Sequence, residues 1–309
     1  MAGALFLSSP SAQGDALSIL AALLWASAVV CFKLGGEGMP AWHQNFLKSS
    51  LGALLFTLTL LVLGEPFSPP GADGAAWVLV GLSGFLGMSL ADTAYFQALK
   101  KLGATLTSLV GSLYSPLMIL FSVLFLGEEL TLSLLLGSFL VVAGIVVGTW
   151  EPSRVEKEEE GKTRREILAG VVLGVTFITL VVGSIIVIGR ILKTYSPLWV
   201  AWLRISAGAV GILVIPWGRE GGGISRAFRP TRHTGWMTAG AVLGTWLGYY
   251  VWLKGLQLIP MSRASVLNEL SLIFVFVLAA LFAGERFTLR KALAVGLAFC
   301  GSLLVLAAG

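Results

Sequence analysis

The segment Gly127-Glu128-Glu129-Leu130-Thr131 returns 157 residues later as Gly284-Glu285-Arg286-Phe287-Thr288, each time closing one long apolar stretch and preceding another. The same offset pairs Lys33 with Arg190, Gly87 with Gly244, Tyr95 with Trp252 and Gly144 with Gly301. One gap, inside the second apolar stretch of each half, aligns Lys48 with Arg204 at an offset of 156. A chain that repeats itself from its first apolar stretch to its last is expected to fold as two copies of one unit.

A helix needs about 20 apolar residues to cross the ~30 Å hydrocarbon layer. Ten stretches qualify: roughly 15–35, 40–63, 75–99, 104–126, 131–149, 167–190, 197–217, 235–258, 262–283 and 288–307. Five fall in each half, and because five is odd the second half enters the membrane from the opposite side. The expected fold is an all-α polytopic membrane protein of ten transmembrane helices, built as two inverted five-helix repeats about a pseudo-two-fold axis in the membrane plane. Residues 1–150 form the first repeat and 167–309 the second. Between them, 151–166 is dense in Glu, Lys and Arg and reads as a solvated linker.

The composition agrees. With 56% hydrophobic and 12% charged residues over 309 positions and a mean hydropathy of +0.89, the chain has too little polar surface for a soluble globule. A net charge of +5 invites a nucleic-acid partner, but the basic residues lie in short loops between apolar runs and form no basic patch, so none is expected. Cys31 and Cys300 sit inside apolar stretches and make neither a disulfide framework nor a metal cluster. Residues 1–14 contain no Lys or Arg, so the first stretch is expected to stay as a span and not to be cleaved as a signal peptide.

Loop charge sets the orientation. The side holding the loops after spans one, three, five, seven and nine gathers fifteen lysines and arginines, the other side four. The positive-inside rule puts linker 151–166 in the cytoplasm and both termini outside, in the cell (inner) membrane. Trp42, Trp77, Trp150, Trp199, Trp217 and Trp236 fall near span ends, where interfacial anchors belong. Lys33, Arg190 and Lys254 lie near span ends too and are expected to snorkel.

The run from Pro116 to Gly127-Glu128, followed by Thr131 and a glycine-rich span ending in Ala143-Gly144, resembles the end of one repeat of the EamA branch of the drug/metabolite transporter superfamily. Ala283-Gly284-Glu285, Thr288 and Gly301 repeat it. Pro40 before Lys48, and Pro197 before Arg204, look like that family's second helix. The resemblance implies a ten-helix secondary carrier, often an exporter of amino acids or other small metabolites. Two features depart from the family pattern. Ile273 stands where the second copy would match Pro116, and the family is usually drawn with both termini in the cytoplasm.

A charge near the middle of a span costs about 2.5–3.5 kcal/mol and usually faces the bundle interior. Lys48 and Asp92 lie roughly 10 Å inside the cytoplasmic face, and Arg204 and Glu269 at a similar depth inside the other. The expected pairs are Lys48 with Asp92 and Arg204 with Glu269. They serve either packing, or substrate binding through a carboxylate at Arg204 or Lys48 and an ammonium at Asp92 or Glu269, or gating. A buried carboxylate is also a candidate carrier of a coupling proton; no cofactor and no metal are expected.

Pro116 removes a helical donor in the fourth span, with Tyr114 beside the kink. Gly240, Gly244 and Gly248 make a flat stripe for helix packing. The opposite face, with Trp246, Tyr249, Tyr250 and Leu253, meets lipid, a homodimer partner or the interior, lipid being the commonest surrounding for such aromatics. If it turns inward with Trp25, Tyr95 and Trp202, the site suits an apolar or aromatic substrate with a charged end, to which Asn268 adds a neutral donor and acceptor.

His43 and His233 stand far apart, and there is no GxSxG and no phosphate loop, so catalysis is not expected. The expectation is a carrier of a small organic metabolite, an amino acid or related amphipathic solute, working by alternating access and most simply an exporter. An uptake carrier of the same fold, a channel and a structural membrane protein are the alternatives.

Overall fold

The computed structural model describes residues 9–36, 39–111, 113–149, 164–214, 234–282 and 289–307, all in helices or short connections among these residues. Linker 151–166 up to residue 163, Trp150, Trp217, His233 and the second Gly-Glu motif at 284–288 lie outside them. Among the described residues, five helices are each long and apolar enough to cross a bilayer: Pro10–Phe32, Ala41–Leu63, Gly74–Ala98, Leu168–Thr194 and Pro197–Val214. Several spans are interrupted, and the interruptions are informative.

Span one, Pro10–Gly35, begins earlier than its apolar stretch because Ser9 caps it: the Ser9 hydroxyl accepts from Ala12 N at 3.2 Å, with proline opening the helix. Span two, Ala41–Leu63, ends on Gly64 at φ 67, where the left-handed turn lets Glu65 N reach back to Leu60 O at 3.0 Å. Gly127, at φ 71, closes span four in the same way. Span six runs over Arg164–Thr194, longer at both ends than its apolar stretch.

The two halves differ where span three meets span four. In the second half, helix Tyr249–Leu258 stops before Pro260, and a new helix starts at Met261. Proline disfavours helical geometry in the residue before it and donates no hydrogen bond. Its counterpart in the first half is Gly103, where no proline stands, and the residues on both sides of it are helical. The chain still reverses within that stretch. Along span six it descends from Gly87, beside Ser184, to Tyr95, beside Phe177, and climbs again from Val110, beside Gly174, to Leu126, beside Gly189.

Spans three and eight each contain a π-helical segment, Phe85–Ala91 and Ala241–Gly248. They occupy repeat-equivalent positions. Such a widened turn slips an extra residue into the helix and re-aims the side chains beyond it, so Asp92 and Tyr249, the first residues after each segment, are turned alike.

Glycines bring the spans together. A Cβ on Gly240 would stand 2.6 Å from the Phe32 ring, one on Gly244 2.6 Å from Ala28 Cβ, and one on Gly248 3.1 Å from Trp25, so the expected stripe packs on span one. The aromatic face opposite is not lipid-facing: Tyr249 is 4% exposed and Leu253 fully buried. Spans five (Leu132–Thr149) and ten (Leu289–Ala307) meet backbone to backbone, a Cβ on Gly137 falling 2.8 Å from Gly301 O. The side chains left for lipid are aliphatic and phenyl, such as Leu54, Leu58, Val62, Val78, Phe139 and Phe299.

Of the expected interfacial tryptophans, Trp236 is exposed. Trp199 is not at an interface: it is fully buried, its indole donates to Phe67 O at 2.8 Å, and it meets Trp77 edge-on at 5.4 Å. Arg190 is exposed, as a snorkelling residue should be, whereas Lys254 is half-buried with Nζ 3.5 Å from Gln257 Oε1.

Candidate functional site

Lys48 on span two and Asp92 on span three form an ion pair, Nζ to Oδ2 2.6 Å, with side chains 9% and 19% exposed. The π segment places the carboxylate there, and Asn45, one helical turn before Lys48, secures the segment. Its Nδ2 donates to Met88 O at 3.0 Å and Ser89 O at 3.4 Å, and reaches Thr93 Oγ1 at 3.2 Å. Both carbonyls lie within the widened turn. Replacing Asn45 with leucine is expected to destabilise the fold by about 1–3 kcal/mol, read as a lower unfolding temperature in detergent; an unchanged temperature would show that the segment needs no outside donor.

Arg204 does not pair with Glu269. Its side chain is fully buried, with Nη1 donating to Ser184 O and Nη2 to Ser184 Oγ, both at 3.0 Å, and its Cζ lies over the Tyr249 ring at 5.9 Å from the centroid. A Cβ on Gly87 would stand 3.0 Å from Nη2, so glycine makes room for the guanidinium against span three. Depth in the membrane suggested the pairing with Glu269, but depth ignores which way each helix face is turned. The repeat places the partner correctly: Lys48 corresponds to Arg204 and Asp92 to Tyr249. The second half keeps the position and replaces the carboxylate with a phenol.

Glu269 serves a different contact. It sits between helix Met261–Asn268 and helix Leu270–Phe282, and its Oε1 accepts from Ser115 Oγ at 2.9 Å and Ser115 N at 3.3 Å. Ser115 lies in the first turn of helix Tyr114–Phe121, which restarts span four after the turn at Leu113. Its N–H is one of the donors a helix start leaves unsatisfied, where a carboxylate is favoured. Pro116 therefore occupies the first turn of a new helix, where it is tolerated, and not the middle of a kinked one; its ring is exposed. In the repeat Glu269 matches Ser112, which lies outside the described residues, and the described turn of span four is at the next residue, Leu113.

Around this crossing, Tyr114 stands within electrostatic reach of Glu269, Arg204 and Tyr249, and Arg204 within reach of Asp92. Three buried polar atoms here lack a hydrogen-bond partner: Arg204 Nε, the Tyr249 hydroxyl and Asn268 Oδ1. Such atoms are uncommon inside proteins. The other expected aromatics hold helices together. The indoles of Trp25, Trp202 and Trp246 donate to Gly244 O (3.0 Å), Thr57 Oγ1 (3.0 Å) and Thr59 Oγ1 (3.1 Å). Tyr95 packs on Phe177 at 4.9 Å, and Tyr250 lies half-buried against the main core.

A second set of contacts closes the face opposite the one richest in loop charge. Glu128 accepts from Met261 N at 2.7 Å, Ser262 N at 3.0 Å and Ser262 Oγ at 2.5 Å, so the first Gly-Glu motif ends span four and caps span nine. Arg263 grips Asp15 with two bonds of 2.8 Å. Lys193 reaches Gln257 O at 2.7 Å, and Ser196 donates to Glu65 Oε2 at 2.7 Å. Sequence reasoning named none of Asn45, Ser115, Ser184 and Glu128 as site residues; the repeated Gly-Glu motif was the available signal for the last.

Two repeats of apolar helices, re-aimed by matched π segments and broken where they cross, with ionisable groups buried at the crossing, define a polytopic membrane transporter. The EamA-like transporter family matches residues 12–150 and 168–307, and the chain belongs to that family. It is 26% identical over 141 residues to the uncharacterized transporter YoaV of Bacillus subtilis, covering 46% of this chain and 48% of that one. An uncharacterized transporter of Archaeoglobus fulgidus is 25% identical over 131 residues, covering 42% and 46%. The chain thus spans about half the length of these curated relatives. A solved structure described only as "Crystal structure of protein" superposes with a TM-score of 0.76 at 19% identity, over 94% of this chain and 95% of that one, and shows the same fold.

Proposed function

We propose that the protein is a secondary carrier that exports a small organic metabolite, an amino acid or related amphipathic solute, across the inner membrane by alternating access. The observation that carries this is the crossing of two broken helices, with Glu269 at the break of span nine holding Ser115 at the break of span four. Discontinuous helices at a repeat interface are where carriers bind substrates and coupling ions. Arg204, Tyr249, Tyr114, Asn268 and Glu269 line the site in this reading, and Lys48 with Asp92 holds its cytoplasmic side. The contacts of Glu128, Arg263, Lys193 and Ser196 close the outer side and must part when it opens. Glu269, which has no basic partner within ion-pair distance among the described residues, carries the coupling proton.

Counterflow of a labelled amino-acid and metabolite panel in proteoliposomes, with and without an imposed pH gradient, tests the reading. Saturable, gradient-sensitive exchange is the expected result, and Glu269→Gln is expected to keep exchange while losing at least tenfold of the gradient-driven rate. Folded protein that exchanges no solute in the panel would overturn the carrier assignment.

A further inference from the structure

The two halves hold their buried cations differently. Lys48 is neutralised by Asp92 at 2.6 Å, while Arg204, its repeat equivalent, faces Tyr249 at the position where the first half has Asp92. A guanidinium stays charged at any relevant pH, and an unpaired buried charge is costly. Ser184 supplies two neutral acceptors and the phenol face a weak attraction. No carboxylate lies within 4.0 Å among the described residues.

We propose that the missing carboxylate is the substrate's: an organic carboxylate docks at Arg204 and Tyr249, taking in the second half the place that Asp92 takes in the first. This rests on the carrier reading and narrows its substrate to solutes with a carboxylate group. Two donors without a hydrogen-bond partner belong to the two residues of this contact, Arg204 Nε and the Tyr249 hydroxyl. A carboxylate has two oxygens to accept from them. Ser184 holds the guanidinium's other edge, so its orientation is set before the substrate arrives, and Gly87 leaves the space in which it lies. Tyr114 flanks the same point. The π segment of span eight is the element that brings Tyr249 there.

Bound substrate then gives the second repeat the ion pair that the first already has, and the empty carrier is the less stable form. The variant Tyr249→Asp supplies the carboxylate within the chain and imitates the occupied site.

The test measures unfolding temperature in detergent, using as probes the carboxylates of a fixed panel (acetate, benzoate, glutamate, phenylalanine and malate) against their amides. At saturation at least one carboxylate is expected to raise the wild-type unfolding temperature by about 5 °C, with its amide giving no shift. Tyr249→Asp is expected to unfold at a higher temperature than the wild type without any probe and to lose the carboxylate shift. Arg204→Met loses the shift, and Tyr249→Phe weakens it several-fold. No carboxylate-specific shift across the panel, or one that survives in Arg204→Met, would overturn the proposal. Counterflow separates this from the carrier reading itself: exchange of amides or amines that is equal in the wild type and Arg204→Met leaves a carrier without a carboxylate site, whereas absence of all exchange removes the carrier.

Discussion

Lys48→Met is expected to lower the unfolding temperature of the detergent-solubilised protein by roughly 6–10 °C, whereas the double variant Lys48→Met/Asp92→Leu should unfold near the wild-type temperature. Removing one member of a buried pair strands the other charge, at about 3–5 kcal/mol, while replacing both with apolar groups is often neutral. Asp92 keeps 19% exposure, which relieves part of the cost and places the expectation near the lower bound, with each kcal/mol worth about 2–4 °C in a chain of this size. Equal losses in the single and double variants would mean that Lys48 matters through its packing and not through its partner.

Gly84→Ala is expected to destabilise the fold by about 3 kcal/mol and to reduce transport, because the added methyl falls against the backbone carbonyl of Arg204, with Arg204 Cα at 2.7 Å. Backbone cannot rotate away as a side chain does, so spans three and seven must separate, and overpacking of this kind costs about 1–3 kcal/mol or somewhat more. Gly208 and Gly211 lie on the same contact: Gly208 faces Met88 Cβ, and a Cβ on Gly211 would stand 2.5 Å from the Phe85 ring. Gly81, three residues before Gly84, has nothing within 4 Å of its added Cβ. Gly81→Ala should be neutral or slightly stabilising, since alanine favours a helix by about 0.5–1 kcal/mol over glycine. The two alanine variants, compared by unfolding temperature, distinguish close approach from glycine content; matching losses would argue against a tight contact at Gly84.

Much of this architecture could be read from the chain. The repeat offset and the apolar stretches give a helical membrane protein of two similar halves, and the buried charges single out Lys48 and Asp92, which the fold brings together. Other features could not be read, for identifiable reasons. A π segment has no pattern of its own in the sequence, so the turn that aims Asp92 at Lys48 is invisible there. Pairing Arg204 with Glu269 by depth used distance along the membrane normal and ignored rotation about the helix axis. Aligning the halves would have pointed to Tyr249, because Lys48 matches Arg204 and Asp92 matches Tyr249. Tyr249 and Leu253 are interior because span one lies along the glycine stripe and spans two and seven along the rest, a three-dimensional fact that one helix face cannot disclose.

The paired π segments also fix which changes of chain length the protein can accept. Each carries one residue more than an α-helix of the same reach, so losing a single amino acid within Phe85–Ala91 would convert it to ordinary helix and swing everything beyond by about 100°. Asp92 would then point away from Lys48, while the loops on either side could gain or lose residues without moving it. Within Ala241–Gly248 the same loss would carry Tyr249 off Arg204. Descendants of this chain should therefore drift in loop length yet keep these two stretches at constant count, even where every side chain in them has changed.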